Sequence, residues 1–197
     1  MKTLGLFKLS KKKQEEDFAR LFRPHIRGLY QSAYRWTLST HDAEDLVQDV
    51  AETVMTRVSE LAAMEQPRAW LLKIMYRRFV DLYRRRKANP VVAEHTLDED
   101  TLDTLLISEQ EQPEEQLALS RLRHNVSLAL ESLDADQRVT VMLFDIDGYS
   151  IKEIAKILDL PEGTVKSRLH RSRAKLKNAI SDGTFFATFS CVSIEAK

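Results

Sequence analysis

Between Leu160 and Asn178 the chain reads LPEGTVKSRLHRSRAKLKN, with six lysines and arginines among the last thirteen residues. The chemistry open to such a stretch is recognition of a polyanion. Thr164, Lys166, Ser167, Arg168, His170 and Arg171 crowd its first half. An arginine fork there can hold guanine bidentately, worth about 1–3 kcal/mol of discrimination per good pair. Arg173, Lys175 and Lys177 follow, where cations suit phosphates and add affinity without reading sequence. The helical repeat gathers Val165, Leu169, Ser172 and Leu176 on one stripe, so that stripe packs inward and the charged remainder faces out.

A second stretch, RAWLLKIMYRRFVDLYRRRK from Arg68 to Lys87, interleaves Trp70, Tyr76, Phe79 and Tyr83 with Lys73, Arg77, Arg78, Arg84, Arg85 and Arg86. Aromatic faces beside cations are suited to unstacked bases on a single strand. Taken alone, a core helix with a solvated basic face accounts for the same pattern equally well. A third candidate is acidic. Asp45, Gln48 and Asp49 lie three and four apart, on one helix face that can meet an arginine-rich partner.

Other constellations fail on inspection. His41-Asp42 is the dipeptide of HD phosphohydrolases, but His25, His95, His124 and His170 stand at no ligand-like spacing from it. In DIDGYSIKEI, Asp145, Asp147 and Gly148 fit three positions of a calcium loop, yet Leu143 and Ile154 fall where its first and last ligands belong. No glycine loop for phosphates, nucleophile elbow or zinc cluster is present in the sequence. The expectation is a protein with no catalytic residue, no metal and no cofactor.

The elements that position these residues are all helical. EEDFARLFRPHIRGLYQSAYRWTL carries apolar residues at steps of three and four, with Pro24 predicting a kink or break near Arg23. Thr40 or Ser39 can cap a second helix, HDAEDLVQDVAETVMTRVSELAAM, that has acids in its first turn. Pro67 opens a third helix, about 30 Å long if continuous to Lys87. Farther on, helices are predicted over about 114–132, 135–146, 150–159 and 162–180. Ser150 with Glu153 makes a capping box for a short helix. Asp159 stands at a turn position often held by glycine, where aspartate tolerates the left-handed conformation. Helix, turn and second amphipathic helix together give helix-turn-helix grammar.

The net charge of zero conceals segregation. Residues 1–88 carry 18 Lys/Arg against 11 Asp/Glu; residues 89–115 carry nine acids and no Lys/Arg; residues 116–180 carry 11 against eight. Two basic blocks divided by an acidic strip predict two polyanion-binding domains, 1–88 and 116–180, joined by a flexible acidic linker at 89–115. The fold class expected is therefore all-α, in two small helical domains. The tail 181–197 holds Phe185, Phe186, Phe189, Val192 and Ile194. Three roles stand open for it: packing on the second block, binding a regulatory partner, or disorder. No apolar run is long enough to span a membrane. The N-terminal MKTLGLFKLSKKK lacks the apolar core and cleavage site of a signal peptide. Cys191 is the sole cysteine and can make no internal disulfide, so a reducing cytoplasm is the expected location.

Three stretches taken together resemble a known family. DAEDLVQDVAETVMTR, PRAWLLKIMYRRFVDLYRRRK and ALESLDADQRVTVMLFDIDGYSIKEIAKILDLPEGTVKSRLHRSRAKLKN are similar to the extracytoplasmic-function sigma factors, small members of the sigma-seventy family of bacterial RNA polymerase sigma factors. The resemblance covers roughly residues 15–88 and 116–178, in the family's order. It implies a subunit that directs core RNA polymerase to promoter DNA. The face around Asp45, Leu46, Val47, Gln48 and Asp49 would dock on the polymerase largest subunit. Trp70, Lys73, Tyr76, Arg77, Asp81, Arg84 and Arg85 would hold the minus-ten element, with Asp81 orienting a neighbouring arginine. Thr164, Lys166, Ser167, Arg168, His170, Arg171 and Arg173 would read the minus-thirty-five element, and the acidic linker would enter the polymerase cleft. An anti-sigma partner is implied by the same likeness. Where the family often has Arg-Asn, this chain has Tyr76-Arg77, so the resemblance does not fix the minus-ten preference.

Overall fold

The computed structural model describes residues 13–88, 126 and 129–179. The chain divides into two compact units, Met1–Leu97 and Asp98–Lys197. The acidic linker, the tail and most of the helix expected over 114–132 lie outside the described residues. Among the described residues all regular structure is helical, and no helix is long and apolar enough to cross a membrane.

In the first unit, residues 13–22 form α1. Pro24 breaks it as the sequence suggests: Arg23–His25 is a single 3-10 turn, and α2 resumes over Ile26–Thr37. Leu38 ends α2 in the left-handed region at φ 57°. That conformation is costly for a branched side chain, but Leu38 is buried and its apolar contacts offset the cost. Ser39 is the cap of α3, Thr40–Met55, and its hydroxyl accepts from the Asp42 N–H.

The sequence predicts one helix from residue 41 to 64, whereas the structure has two. After α3 the chain turns at Thr56 and Arg57, and α4 covers Val58–Ala63. Thr53 and Thr56 donate their hydroxyls to the carbonyls of Asp49 (2.8 Å) and Thr53 (2.9 Å). Such bonds compete with the helix ladder, and β-branched residues weaken it further. The third predicted helix is continuous, as α5 over Pro67–Ala88.

Trp36 anchors the core of this unit. Its ring meets Tyr76 edge-on at 6.4 Å and Phe79 at 5.7 Å. Leu29, Ala43, Leu46, Val50, Leu71, Leu72 and Met75 are buried with it. A buried Leu or Phe contributes about 1.5–3 kcal/mol relative to exposure.

In the second unit α6 spans Ala135–Val141 and opens into a π turn, Met142–Ile146. The wider turn ends where the Asp147 N–H reaches the Met142 carbonyl at 2.9 Å. α7 covers Ile151–Leu158 and α8 covers Glu162–Ala179. The box at the start of α7 is complete. Ser150 accepts from the Glu153 N–H (3.3 Å), and the Glu153 carboxylate takes the Ser150 N–H (2.9 Å) and hydroxyl (2.7 Å). Asp159 sits at φ 59°, ψ 48° and turns the chain into α8. Ile154, Ile157 and Leu158 of α7 are buried, as are Val165, Leu169 and Leu176 of α8.

Candidate nucleic-acid interface

The two periodic stripes of α5 divide its residues by role. Leu72, Met75, Tyr76 and Phe79 form the inward stripe. Trp70, Lys73, Arg77, Asp81 and Arg84 follow at steps of three and four, with Arg85 beside them, so they share the opposite side. Arg77, Asp81, Arg84 and Arg85 are exposed; Trp70 and Lys73 are half-buried. This stripe is about 22 Å long at 1.5 Å per residue, enough to follow several nucleotides of a strand.

Tyr76 does not belong with that stripe. At 8% exposure it packs on Trp36, one residue out of phase with the outer positions, and it offers no face to a base. Trp70 is also engaged. The Arg57 guanidinium lies 5.1 Å above its ring and is itself held by Glu60. Hydrogen bonding to Arg57 draws the Glu60 carboxyl below its usual range and the guanidinium above its own.

Asp81 is exposed and makes no ion pair among the described residues. The arginine held by a carboxylate is Arg86. It spans the unit to Asp42 at the start of α3, with one of its two bonds at 2.7 Å. Asp42 is buried, so this pair is largely screened from water and fixes the end of α5 against α3. Asp42 was legible in the sequence only as an acid in a first turn. Its partner lies 44 residues away, beyond the reach of any periodicity.

On α3 the acidic face is real but narrower than the five residues implied. Asp45, Gln48 and Asp49 are exposed, joined by Glu52, which accepts from Gln48 at 3.2 Å. Val47 is half-buried. Leu46 is 2% exposed and lies on the inward stripe with Ala43 and Val50, so it supports the face from beneath.

On α8, Lys166, Ser167, His170 and Arg171 are exposed and Thr164 is half-buried. The other two arginines are tethered to carboxylates. Arg168 pairs with Asp136 at 3.1 Å, and only 18% of its side chain is exposed. Arg173 grips Asp145 through both nitrogen positions, one bond measuring 3.2 Å, and its guanidinium lies 5.0 Å over the Phe144 ring. The π turn supplies Phe144 and Asp145 together, so it shapes the surround of Arg173. Lys175 reaches Asp134 at 3.3 Å. Among the described residues no cluster of three metal-ligating side chains occurs.

Two family models match the chain: Sigma-70 region 2 over residues 21–89 and Sigma-70, region 4 over residues 123–176. The ECF RNA polymerase sigma factor SigM of Mycobacterium tuberculosis is 33% identical over 160 residues, covering 81% of this chain and 74% of SigM. The ECF RNA polymerase sigma factor SigE of Mycolicibacterium smegmatis is 35% identical over 164 residues, covering 82% of this chain. The match spans only 60% of that relative's length. In fold, the chain is similar to the sigma factor RpoE of Bartonella quintana, solved in complex with the anti-sigma factor NepR. The TM-score is 0.65 at 23% identity, over 85% of this chain and 99% of that one.

Proposed function

The chain belongs to the extracytoplasmic-function sigma factors of the sigma-70 family, and from that premise we propose how its parts divide the work of starting transcription. It binds core RNA polymerase and directs it to a subset of promoters. The acidic face of α3, with Asp45, Gln48 and Asp49, docks on the polymerase. The outer stripe of α5 receives the melted minus-ten strand, with Arg77, Arg84 and Arg85 on phosphates and Trp70 available to a base once Arg57 moves aside. The exposed part of α8, with Lys166, Ser167, His170 and Arg171, reads the minus-thirty-five element.

Melting needs no nucleotide hydrolysis in this scheme. Extruding a base costs a few kcal/mol, which stacking and hydrogen bonds at the bound strand offset. The protein is accordingly a binding subunit and not an enzyme. It works in the cytoplasm, where its polymerase is, and an anti-sigma factor that covers one or both units is its expected regulator.

The observation that carries this reading is the outer stripe of α5. Six residues of the required types stand in helical phase in the first unit, on a different unit from the helix-turn-helix. A regulator that uses α8 alone leaves that stripe without a task. Run-off transcription with core polymerase and a library of genomic fragments tests the proposal. Defined transcripts that depend on the added protein are expected. A protein that neither co-purifies with core enzyme nor starts any transcript rules the proposal out.

A further inference from the structure

Arg57 occupies the N-terminal cap position of α4. That position favours Ser, Thr, Asp or Asn, whose side chains accept from the first helical N–H groups. A guanidinium has no acceptor, and no side-chain capping bond is made there. The turn between α3 and α4 thus forgoes a stabilising cap, a local conflict of the kind that marks functional positions. Arg57 lies instead over Trp70, its guanidinium carbon 5.1 Å from the ring centroid. Glu60, three residues on, keeps it there: Nε–H donates to one carboxylate oxygen at 2.7 Å and Nη2 donates to the other.

The hold is weak. Of the Arg57 side chain 39% is exposed and of the Glu60 side chain 45%, and water competes well for an ion pair so placed. Arg173 supplies the contrast. It too lies over a ring, that of Phe144, but its carboxylate, Asp145, is only 7% exposed, so that arginine is fixed. Arg57 is fastened to a carboxylate that can release it.

We propose that Arg57 is a strand-binding residue that gates Trp70: a phosphate of an unpaired DNA strand takes the guanidinium from Glu60, and the adjoining base takes its place on the indole. The inference rests on the reading of the outer α5 stripe given above and supplies that stripe with a trigger. A phosphate accepts a guanidinium in the same two-bond geometry as a carboxylate, so the exchange replaces one charge pair by another. Stacking on the uncovered ring replaces the cation–π contact. Duplex DNA offers the phosphate without a free base face and gains only the first half. Every base has such a face, so the gate selects an unpaired strand and not a sequence.

The full-length protein with a mixed-sequence single-stranded oligonucleotide at low salt tests the gate. The chain has two tryptophans, and Trp36 is fully buried, so acrylamide quenching reports on Trp70. Glu60→Gln is expected to raise quenching and to raise strand affinity by up to about fivefold, the most an exposed pair is worth. Arg57→Ala is expected to raise quenching as well, yet to lower strand affinity several-fold. It should also lessen the slope of log affinity against log salt by about 0.7, one single-strand phosphate contact. Arg57→Lys, which keeps the charge without the planar fork, is expected to retain the slope. Quenching or strand affinity that stays unchanged in both Glu60→Gln and Arg57→Ala overturns the proposal. Affinity that rises in Arg57→Ala overturns it too, since the guanidinium is then only a cover, and an unchanged salt slope in that variant rules out the phosphate contact. Wild-type protein that starts transcripts with core polymerase while its variants fail these tests separates failure of the gate from failure of the proposed function.

Discussion

At the scale of single residues, the arginines of α8 differ sharply in setting although their types are identical. Arg171 is exposed, and among the described residues its Nε–H reaches the Ser167 carbonyl one turn back, at 3.3 Å. Arg168 is largely covered and paired with Asp136. Arg171→Ala is therefore expected to leave stability within about 0.5 kcal/mol while transcription from promoters that need the minus-thirty-five element falls. Arg168→Ala is expected to lower stability by about 1 kcal/mol, because a long side chain loses packing as well as its ion partner. Urea denaturation of both variants beside run-off transcription separates the two, and equal destabilisation contradicts the distinction. The Arg86–Asp42 pair makes a larger claim. Only 4% of the Asp42 side chain and 23% of the Arg86 side chain are exposed. Asp42→Asn removes the buried negative charge on which both of these Arg86 bonds end, in a poorly hydrated place. Complete burial puts the loss at about 3–5 kcal/mol, and the residual exposure of Arg86 reduces it to about 2–3 kcal/mol, readable as a lower midpoint at unchanged slope.

At the scale of elements, caps and stripes decide the outcome. α7 has eight residues, too few to persist in water without support, so its capping box matters. Ser150→Ala is expected to cost about 1 kcal/mol, seen as faster amide exchange across α7. The Glu153 carboxyl is drawn below its usual range chiefly by the Ser150 hydroxyl and then by the Ser150 N–H. A depressed folded value means that the ionised form stabilises the fold. That contribution is present above the ordinary glutamate value and is lost as pH falls through the lowered folded value. Glu153→Gln should therefore flatten the acid limb of the stability curve, and an unaltered limb speaks against the cap as its source. For α3, Asp45→Arg with Asp49→Arg changes only exposed positions. Helical content is expected to persist while affinity for core polymerase falls at least tenfold, measured by fluorescence anisotropy of labelled protein. Unchanged affinity removes the docking role from this face.

At the scale of the whole molecule, two basic blocks, 1–88 and 116–180, with an acidic strip between them predict how the isolated protein treats DNA. Phosphate contacts release counter-ions, so affinity falls steeply as salt rises. The free protein is expected to bind promoter duplex weakly and with a strong salt dependence, and filter binding across a salt series measures it. Tight, sequence-specific binding without polymerase favours a helix-turn-helix regulator instead.

Much of the architecture was legible without coordinates, because helical phase is local. Val165, Leu169 and Leu176 on one stripe, the Ser150–Glu153 box, the left-handed Asp159 and the break at Pro24 all follow from backbone geometry acting within a few residues. Most of the helices follow from the same source, except that the turn at Thr56 and Arg57 divides the one expected over 41–64; the cationic character of α8 and the family resemblance are read from the residues themselves. Tertiary packing alone decided which charges are held by distant partners, whereas Arg57 with Glu60 is a local pair three residues apart. Arg86 meets Asp42 across 44 residues and Arg173 meets Asp145 across 28; Tyr76 turns inward because Trp36 arrives from another helix. Ion pairs and aromatic contacts depend on which helices pass close together. That proximity is set by burial of the apolar stripes as a whole, and no spacing along the chain encodes it.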